Sequence, residues 1–197
     1  MAKSIFREYD IRGIFQEELS EEIVKKIGYF FASEVKEKFP NAKYISVGYD
    51  ARSHSSILKE WLSSGINKAG IEVLDMGLVA TPINYFSNYI DNDGKKVNAS
   101  IMITGSHNPP EYNGFKITMD KTPYFAEDIY SLGEKVLQND IKIEDNTKTI
   151  FIDTKKEYVD YMIKEFSHLN LKDKSFVFDC GNGAAGSVLR NILEGLN

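Results

Sequence analysis

The sequence predicts an α/β fold: a mainly parallel mixed sheet with helices on both faces, followed by the incomplete start of a second α/β domain. Three observations carry that reading. Apolar residues recur at helical spacing in several segments, the first of them Ile23, Ile27, Phe30, Phe31 and Val35. Short apolar runs of strand length, at residues 44–48, 71–74 and 99–103, alternate with those segments. Gly, Pro and Asn mark the joints, as at Pro40-Asn41, Gly70 and Asp93-Gly94. Strands alternating with helices imply βαβ units.

The elements follow in order. Ser20 caps a first helix whose opening turn carries Glu21 and Glu22, which suits the helix dipole; Pro40-Asn41 ends it. After the strand at 44–48, Ile57, Leu58, Trp61, Leu62 and Ile66 form a second amphipathic helix that stops near Gly70. The strand at 71–74 leads to Thr81-Pro82, a cap followed by proline at the first helical position, opening a helix through about Tyr89. Strands at 99–103 and 115–119 flank a polar loop, and 126–138 is helical. Residues 139–149 are polar and charged, a linker or hairpin. Thr154 and Glu157 fit a capping box at the start of a helix containing Tyr158, Tyr161, Met162, Ile163 and Phe166. A strand at 175–179, the glycine-rich run 181–186 and a helix through about Leu193 close the chain. One strand with two helices does not complete a sheet. Residues 1–149 are therefore expected to form one α/β domain, and 150–197 a linker helix with the truncated start of another.

Composition narrows the function. The 197 residues are 42% hydrophobic and 27% charged, the balance of a folded globular chain. The net charge is −5 with no basic stripe, which argues against nucleic acid as a partner. Phosphates stay possible, because local cations and backbone N–H groups bind them. The one cysteine, Cys180, allows no disulfide within the chain, and its place after Phe176-Val177-Phe178 reads as a buried structural thiol. The first ten residues lack the apolar core of a signal peptide, and no apolar run approaches the ~18 residues of a membrane span. The expectation is a cytoplasmic protein with no membrane partner.

The most informative segment is Thr104-Gly105-Ser106-His107-Asn108-Pro109-Pro110, followed by Asn113-Gly114-Phe115-Lys116. It places a serine on a Gly- and Pro-constrained loop directly after a strand, with a histidine beside it and a lysine in the next strand. Ligands of α/β sheets bind beyond the carboxyl ends of strands, and this loop lies at such an end. A serine held there by stiff backbone can be presented to a substrate. The alternative is a turn with incidental polar residues.

Residues 104–109 with 113–116 resemble the phosphoserine loop of the α-D-phosphohexomutases. Three further segments carry the same resemblance in the same order: Phe6-Arg7-Glu8-Tyr9-Asp10-Ile11-Arg12-Gly13, Val47-Gly48-Tyr49-Asp50-Ala51-Arg52, and Phe178-Asp179-Cys180-Gly181-Asn182-Gly183-Ala184. The Asn-Gly-Phe-Lys form is similar to the bacterial phosphomannomutase/phosphoglucomutase branch. The resemblance implies that a phosphoserine at Ser106 gives its phosphoryl group to a hexose phosphate. A bisphosphorylated sugar forms, turns over in the site and returns its other phosphate. It implies Mg²⁺ bound through the serine phosphate, and hexose 1,6-bisphosphate as activator. Lys116 becomes the candidate for proton transfer, which needs a pKa lowered by burial or a neighbouring cation; its plain alternative is a surface lysine. Arg12 is expected to hold phosphate bidentately, with Gly13 keeping the backbone close. His107 contacts phosphate or orients the loop, or is merely a hydrogen-bonded histidine. Arg52 is a phosphate contact or a surface charge at a helix start. Asn108 shapes the turn, and Asp50 caps the following helix. His54 and His168, without metal-ligand spacing, read as surface residues, and Trp61 as core.

The family's Asp-Gly-Asp-Gly-Asp-Arg metal loop does not occur in the sequence; Asp91-Asn92-Asp93-Gly94 reads as a turn. The chain is thus expected to be a truncated mutase, inactive alone, with self-association of the fragment possible. Two other readings stand beside it. One is a serine hydrolase built on Ser106 and His107, against which stands the lack of a G-x-S-x-G elbow. The other is a non-catalytic sugar-phosphate-binding or assembly module. Residues 181–186 also match G-x-G-x-x-G literally between a strand and a helix, a short match to a dinucleotide-binding turn.

Overall fold

A computed structural model describes residues 5–169, 171 and 174–196. Their strands are β1 (Ile11–Ile14), β2 (Tyr44–Tyr49), β3 (Glu72–Leu78), β4 (Ala99–Ile103), β5 (Tyr112–Met119), β6 (Thr122–Pro123) and β7 (Ile150–Phe151). The helices are α1 (Glu21–Lys38), α2 (Ser55–Lys68), α3 (Thr81–Phe86), α4 (Glu127–Gln138), α5 (Thr154–Phe166) and α6 (Gly186–Gly195). One mixed sheet runs β1-β5-β4-β2-β3-β7, with β6 paired to β5. The ladders among β4, β2, β3 and β7 are parallel, and those among β1, β5, β4 and β6 are antiparallel. The expected mixed α/β sheet is present, with its antiparallel half made by the chain turning straight back after the serine loop.

Side-chain alternation builds the two layers. Ile45, Val47, Val73, Ile101, Ile103 and Phe115 face a core closed by α1, α2 and α4. Leu74, Met76 and Met102 face the other way, with Ile83 of α3, Val159 of α5 and Ile192 of α6. Helix α3 docks on this second face largely through polar groups. Ser100 Oγ donates to Asn84 Oδ1 at 3.0 Å and accepts from Asn88 Nδ2 at 2.8 Å, and Asn84 Nδ2 donates to Ile101 O at 3.0 Å. Helices α1 and α2 cross at two glycines. A Cβ at Gly65 would overlap the carbonyl oxygen of Lys25, and one at Gly28 that of Leu62.

Several boundaries differ from the sequence expectation for local reasons. Ser20 caps α1, its Oγ accepting from Ile23 N at 3.4 Å. At α5 the cap is Asp153, which accepts from Lys156 N at 3.2 Å, while Thr154 is already buried in the first turn. The expected capping box is replaced by a carboxylate one residue earlier, a stronger acceptor for the helix's free N–H groups. Helix α3 starts after Ala80 and ends at Phe86, where Asn88 Nδ2 bonds back to Tyr85 O at 3.1 Å. Residues 139–149 form no helix or strand. They lie across α1 and α2, tied by Lys25 to Asp145 at 2.6 Å and by Asn67 Nδ2 to Asn146 O at 2.7 Å.

The expected strand at 175–179 is not formed. A strand needs a neighbour for its N–H and C=O groups, and no described strand pairs with this segment. Phe176, Val177 and Phe178 are exposed, Val177 completely. Cys180, expected in a core behind them, is half-buried for the same reason. Immediately after the expected domain boundary, β7 adds to the edge of the first sheet through Leu74↔Ile150 and Asp75↔Phe151.

Tyr124 ties the start of α4 to α1. Its hydroxyl donates to Glu34 Oε2 at 2.6 Å, and Lys135 holds Glu34 Oε1 at 2.8 Å. Burial foremost, and then the Glu34 carboxylate, push the phenol far above its ordinary value of 10.0. Folding thus favours the protonated phenol. The associated stability is complete below the unfolded value and is lost as pH rises beyond it. Chemical denaturation between about pH 9 and about pH 11 is expected to show a stability loss that is shallower in Tyr124→Phe, by up to about 1.4 kcal/mol per pH unit. Equal slopes would contradict the assignment.

Candidate active site at the carboxyl ends of β2 and β4

Strands β2 and β4 are parallel neighbours, so the turns that leave them emerge side by side. One is the β2–α2 turn, residues 50–54; the other is the β4–β5 loop, residues 104–111. Asp50 joins them. Its Oδ2 accepts from Thr104 Oγ1 at 2.8 Å and Gly105 N at 3.3 Å, and its Oδ1 from Ser55 Oγ at 2.7 Å and Arg52 N at 3.1 Å. Helix α2 opens at His54 without a side-chain cap. Asp50, expected to cap that helix, instead spends one oxygen on the serine loop.

Ser106 is exposed at the loop apex, directly after buried Thr104 and Gly105. Its N–H donates to Thr104 Oγ1 at 2.9 Å, and Asn108 N donates to Gly105 O at 3.0 Å. Ser106 has φ +54°, left-handed backbone that costs a non-glycine residue energy unless its surroundings fix it. Ser106 Oγ lies 3.3 Å from His107 Nδ1, and both residues face solvent.

Two cations stand on the adjacent antiparallel ladder. Arg12 of β1 pairs with Gly114 of β5, and Lys116 lies two residues further along the same strand, so both project from one face. Asp10 holds both: its Oδ2 pairs with Arg12 Nη2 and lies 3.3 Å from Lys116 Nζ. Arg12 Nη1 donates to Gly105 O at 3.1 Å, which brings this guanidinium to the base of the serine loop. The Arg12 side chain is 7% exposed, and its Nε has no hydrogen-bond partner among the described residues. Lys116 is more open, with 29% of its side chain exposed. The positive groups thus outnumber the carboxylate between them.

Arg52 is turned inward. Nη1 donates to Pro109 O at 2.7 Å and Tyr112 O at 3.0 Å; Nη2 donates to Asn108 O at 2.6 Å and Ser106 O at 3.2 Å. Nε lies 3.5 Å from Asp50 Oδ2. A Cβ on Gly105 would overlap this guanidinium, so glycine is required there by the arginine's passage. Asn108 takes part through its backbone. At Gly13 a Cβ would meet Ile5 and Glu18 side chains at 2.9 Å, so the structure ties that glycine to packing.

His54, read from sequence as a surface residue, is buried and stacks on Phe15 with centroids 4.7 Å apart. Its Nε2 is 2.9 Å from Pro110 O, and its Nδ1 is 2.9 Å from Asn113 Nδ2. A carbonyl only accepts, so the proton belongs on Nε2 and Nδ1 receives from the amide. Asn113 also donates to Ser55 Oγ at 2.9 Å, which in turn donates to Asp50. Sequence reasoning missed His54, Asn113 and the bridging role of Asp10. The signal was present only as closeness in sequence to Arg52, Lys116 and Arg12. His168 is exposed, as expected.

Among the described residues, no group of three or more His, Cys, Asp or Glu side chains is placed to hold a metal ion. No described helix is long and apolar enough to cross a membrane.

Residues 3–142 match the family model described as phosphoglucomutase/phosphomannomutase, alpha/beta/alpha domain I. A phosphomannomutase of Vibrio cholerae is 35% identical, aligned over 95% of this chain and 40% of its own length. A phosphomannomutase/phosphoglucomutase of Pseudomonas aeruginosa is 34% identical over 98% of this chain and 40% of its own. The crystal structure of a phosphoglucomutase/phosphomannomutase family protein from Burkholderia thailandensis superposes with a TM-score of 0.81 at 29% identity, covering 98% of this chain and 42% of that one. The chain therefore spans about 40% of the length of the curated relatives it matches.

The buried Asn113 amide supports both His54 and Ser55. Asn113→Ala removes both donors and is expected to destabilise the fold by about 1–3 kcal/mol, read by urea denaturation. A change below about 0.5 kcal/mol would show that the network does not depend on it.

Proposed function

We propose that this chain, which belongs to the phosphoglucomutase/phosphomannomutase family, carries the phosphoryl-transfer serine of a hexose-phosphate mutase at Ser106. The observation that carries the reading is an exposed serine in left-handed backbone beside a buried arginine and a part-exposed lysine that share one carboxylate. A serine hydroxyl kept in a costly conformation beyond the carboxyl end of β4 is presented, not packed. The substrate is a hexose phosphate, as the names of the relatives suggest.

The step balances as follows. Ser106 Oγ attacks phosphorus, its O–H proton passing to His107 Nδ1 at 3.3 Å as the Oγ–P bond forms, and the P–O bond to the sugar oxygen breaks. Lys116 gives its proton to the departing sugar oxygen; in the reverse direction the amine takes it back from the sugar hydroxyl. Asp10 holds Lys116 Nζ in place at 3.3 Å. Arg12, fixed between Asp10 and Gly105 O, sets positive charge at the base of the loop, where two dianions would otherwise repel. His107, at hydrogen-bond distance from Ser106 Oγ, orients the hydroxyl or the phosphate that replaces its proton.

Among the described residues no cluster of His, Cys, Asp or Glu side chains makes a Mg²⁺ site; a phosphate on Ser106 would offer it oxygen. The reading thus gives this chain transfer at Ser106 and not full turnover by itself. Hexose 1,6-bisphosphate is the donor that would load the serine. A second reading draws on the exposed Phe176, Val177 and Phe178: a sugar-phosphate-binding or assembly module that binds hexose phosphate and leaves Ser106 unmodified.

Incubation with glucose 1,6-bisphosphate and Mg²⁺, followed by peptide mass mapping, is expected to place one phosphoryl group on Ser106 and none in Ser106→Ala. Lys116→Met should slow loading by about 10²–10⁴-fold. Wild-type protein that binds sugar phosphate but gains no phosphoryl group would favour the second reading.

A further inference from the structure

We infer that Arg52 and His54 are positioning residues for Ser106, acting through the loop's backbone carbonyls and not through substrate. The inference rests on the mutase reading for its catalytic consequence, and on geometry alone for the clamp itself.

The geometry is specific. Four carbonyl oxygens, those of Ser106, Asn108 and Pro109 in the loop and of Tyr112 at the start of β5, converge on the two terminal nitrogens of Arg52. A fifth, Pro110 O, takes the Nε2 proton of His54. One short turn after β2 therefore grips the carbonyls of a loop that leaves the neighbouring strand. Only a planar fork with several fixed donors reaches four acceptors at once; an ammonium group of similar charge does not. The Asp50 carboxylate at 3.5 Å from Nε holds the fork from behind and also takes Gly105 N and Thr104 Oγ1. The loop is thereby bonded on both sides of Ser106.

The clamp explains two otherwise costly features. A left-handed Ser106 persists only if its neighbours over-determine it, and the bonds at Thr104, Gly105, Ser106 O and Asn108 do so. Loop carbonyls without a strand partner need donors, and Arg52 and His54 supply them from a side chain 15% exposed and from a buried ring. Arg52 has no free terminal nitrogen directed to a ligand once these carbonyls are bonded. Its contribution to the reaction is the place of Ser106 Oγ. Misplacement of a reacting atom by about 1 Å costs on the order of 10²-fold in rate.

Four variants and two measurements test this. Arg52→Met removes the fork, and Arg52→Lys keeps the charge beside Asp50. His54→Phe keeps the stack on Phe15 without the donor, and His54→Gln restores an N–H for Pro110 O. Amide hydrogen exchange at Gly105, Ser106 and Asn108 is compared with exchange in β4 and β5. Phosphoryl loading of Ser106 from glucose 1,6-bisphosphate is timed in parallel. Arg52→Met, Arg52→Lys and His54→Phe are expected to speed loop exchange by about tenfold or more while the strands stay protected, and to slow loading by about 10²-fold. His54→Gln should lie near the wild type in both. Loop exchange unchanged in Arg52→Met overturns the clamp. Exchange that accelerates equally in the loop and strands also overturns it, because Arg52 would then serve general stability alone. Loading unchanged while the loop loosens overturns the positioning role. Wild-type protein that never loads Ser106 refutes the mutase reading, and the exchange comparison still decides the clamp.

Discussion

The carboxylate of Asp50 and the guanidinium of Arg52 are the constraint on which the site depends. Together they tie the turn after β2 to the loop after β4, and that loop carries Ser106. Neither tie is possible unless β2 and β4 run parallel and adjacent, so that their carboxyl ends deliver the two segments to one place. The sheet order is therefore a chemical requirement of the site. Glycine at 105 follows from it, because the arginine passes where a side chain would stand. A charged pair with little exposure is costly unless its remaining donors and acceptors are satisfied. Here the loop backbone satisfies them, and the same bonds that settle the pair immobilise the loop.

The other half of the site has a different logic. Strand alternation across β1 and β5 puts Arg12 and Lys116 on one face, and Asp10 bridges them. Arg12 also reaches Gly105 O, so the cationic ladder and the serine loop meet at one peptide group. One arrangement holds the hydroxyl in position, and the other sets charge beside it. Phosphoryl transfer makes these two demands above all, since little else is asked of the protein.

The sequence made the elements legible where the signal was local. Alternating helical and strand-length apolar runs placed β4 and α1, and the boundary signals of α1, Ser20 and Pro40, flank it directly in sequence. Ser106, His107 and Lys116 were recognisable as a short constrained motif on one hairpin. Contacts made across the sheet were not legible. Asp10 meets Lys116 over 106 positions and Arg52 meets Tyr112 over 60, so nothing in the spacing announces either. His54 read as a surface residue because its stack on Phe15 and its bond to Pro110 come from three separate segments. The segment 175–179 failed for the opposite reason. Its local pattern is that of a strand, but strand formation is a property of pairs, and no described strand pairs with it.

The central claim is that Ser106 is held by its loop in one backbone conformation before any ligand arrives. NMR relaxation of the Ser106 backbone amide in the free protein tests it most directly. The account predicts an order parameter near that of rigid strand backbone, about 0.85. A value below about 0.6, with β4 and β5 still rigid, would mean a loop that samples many conformations, and would contradict it.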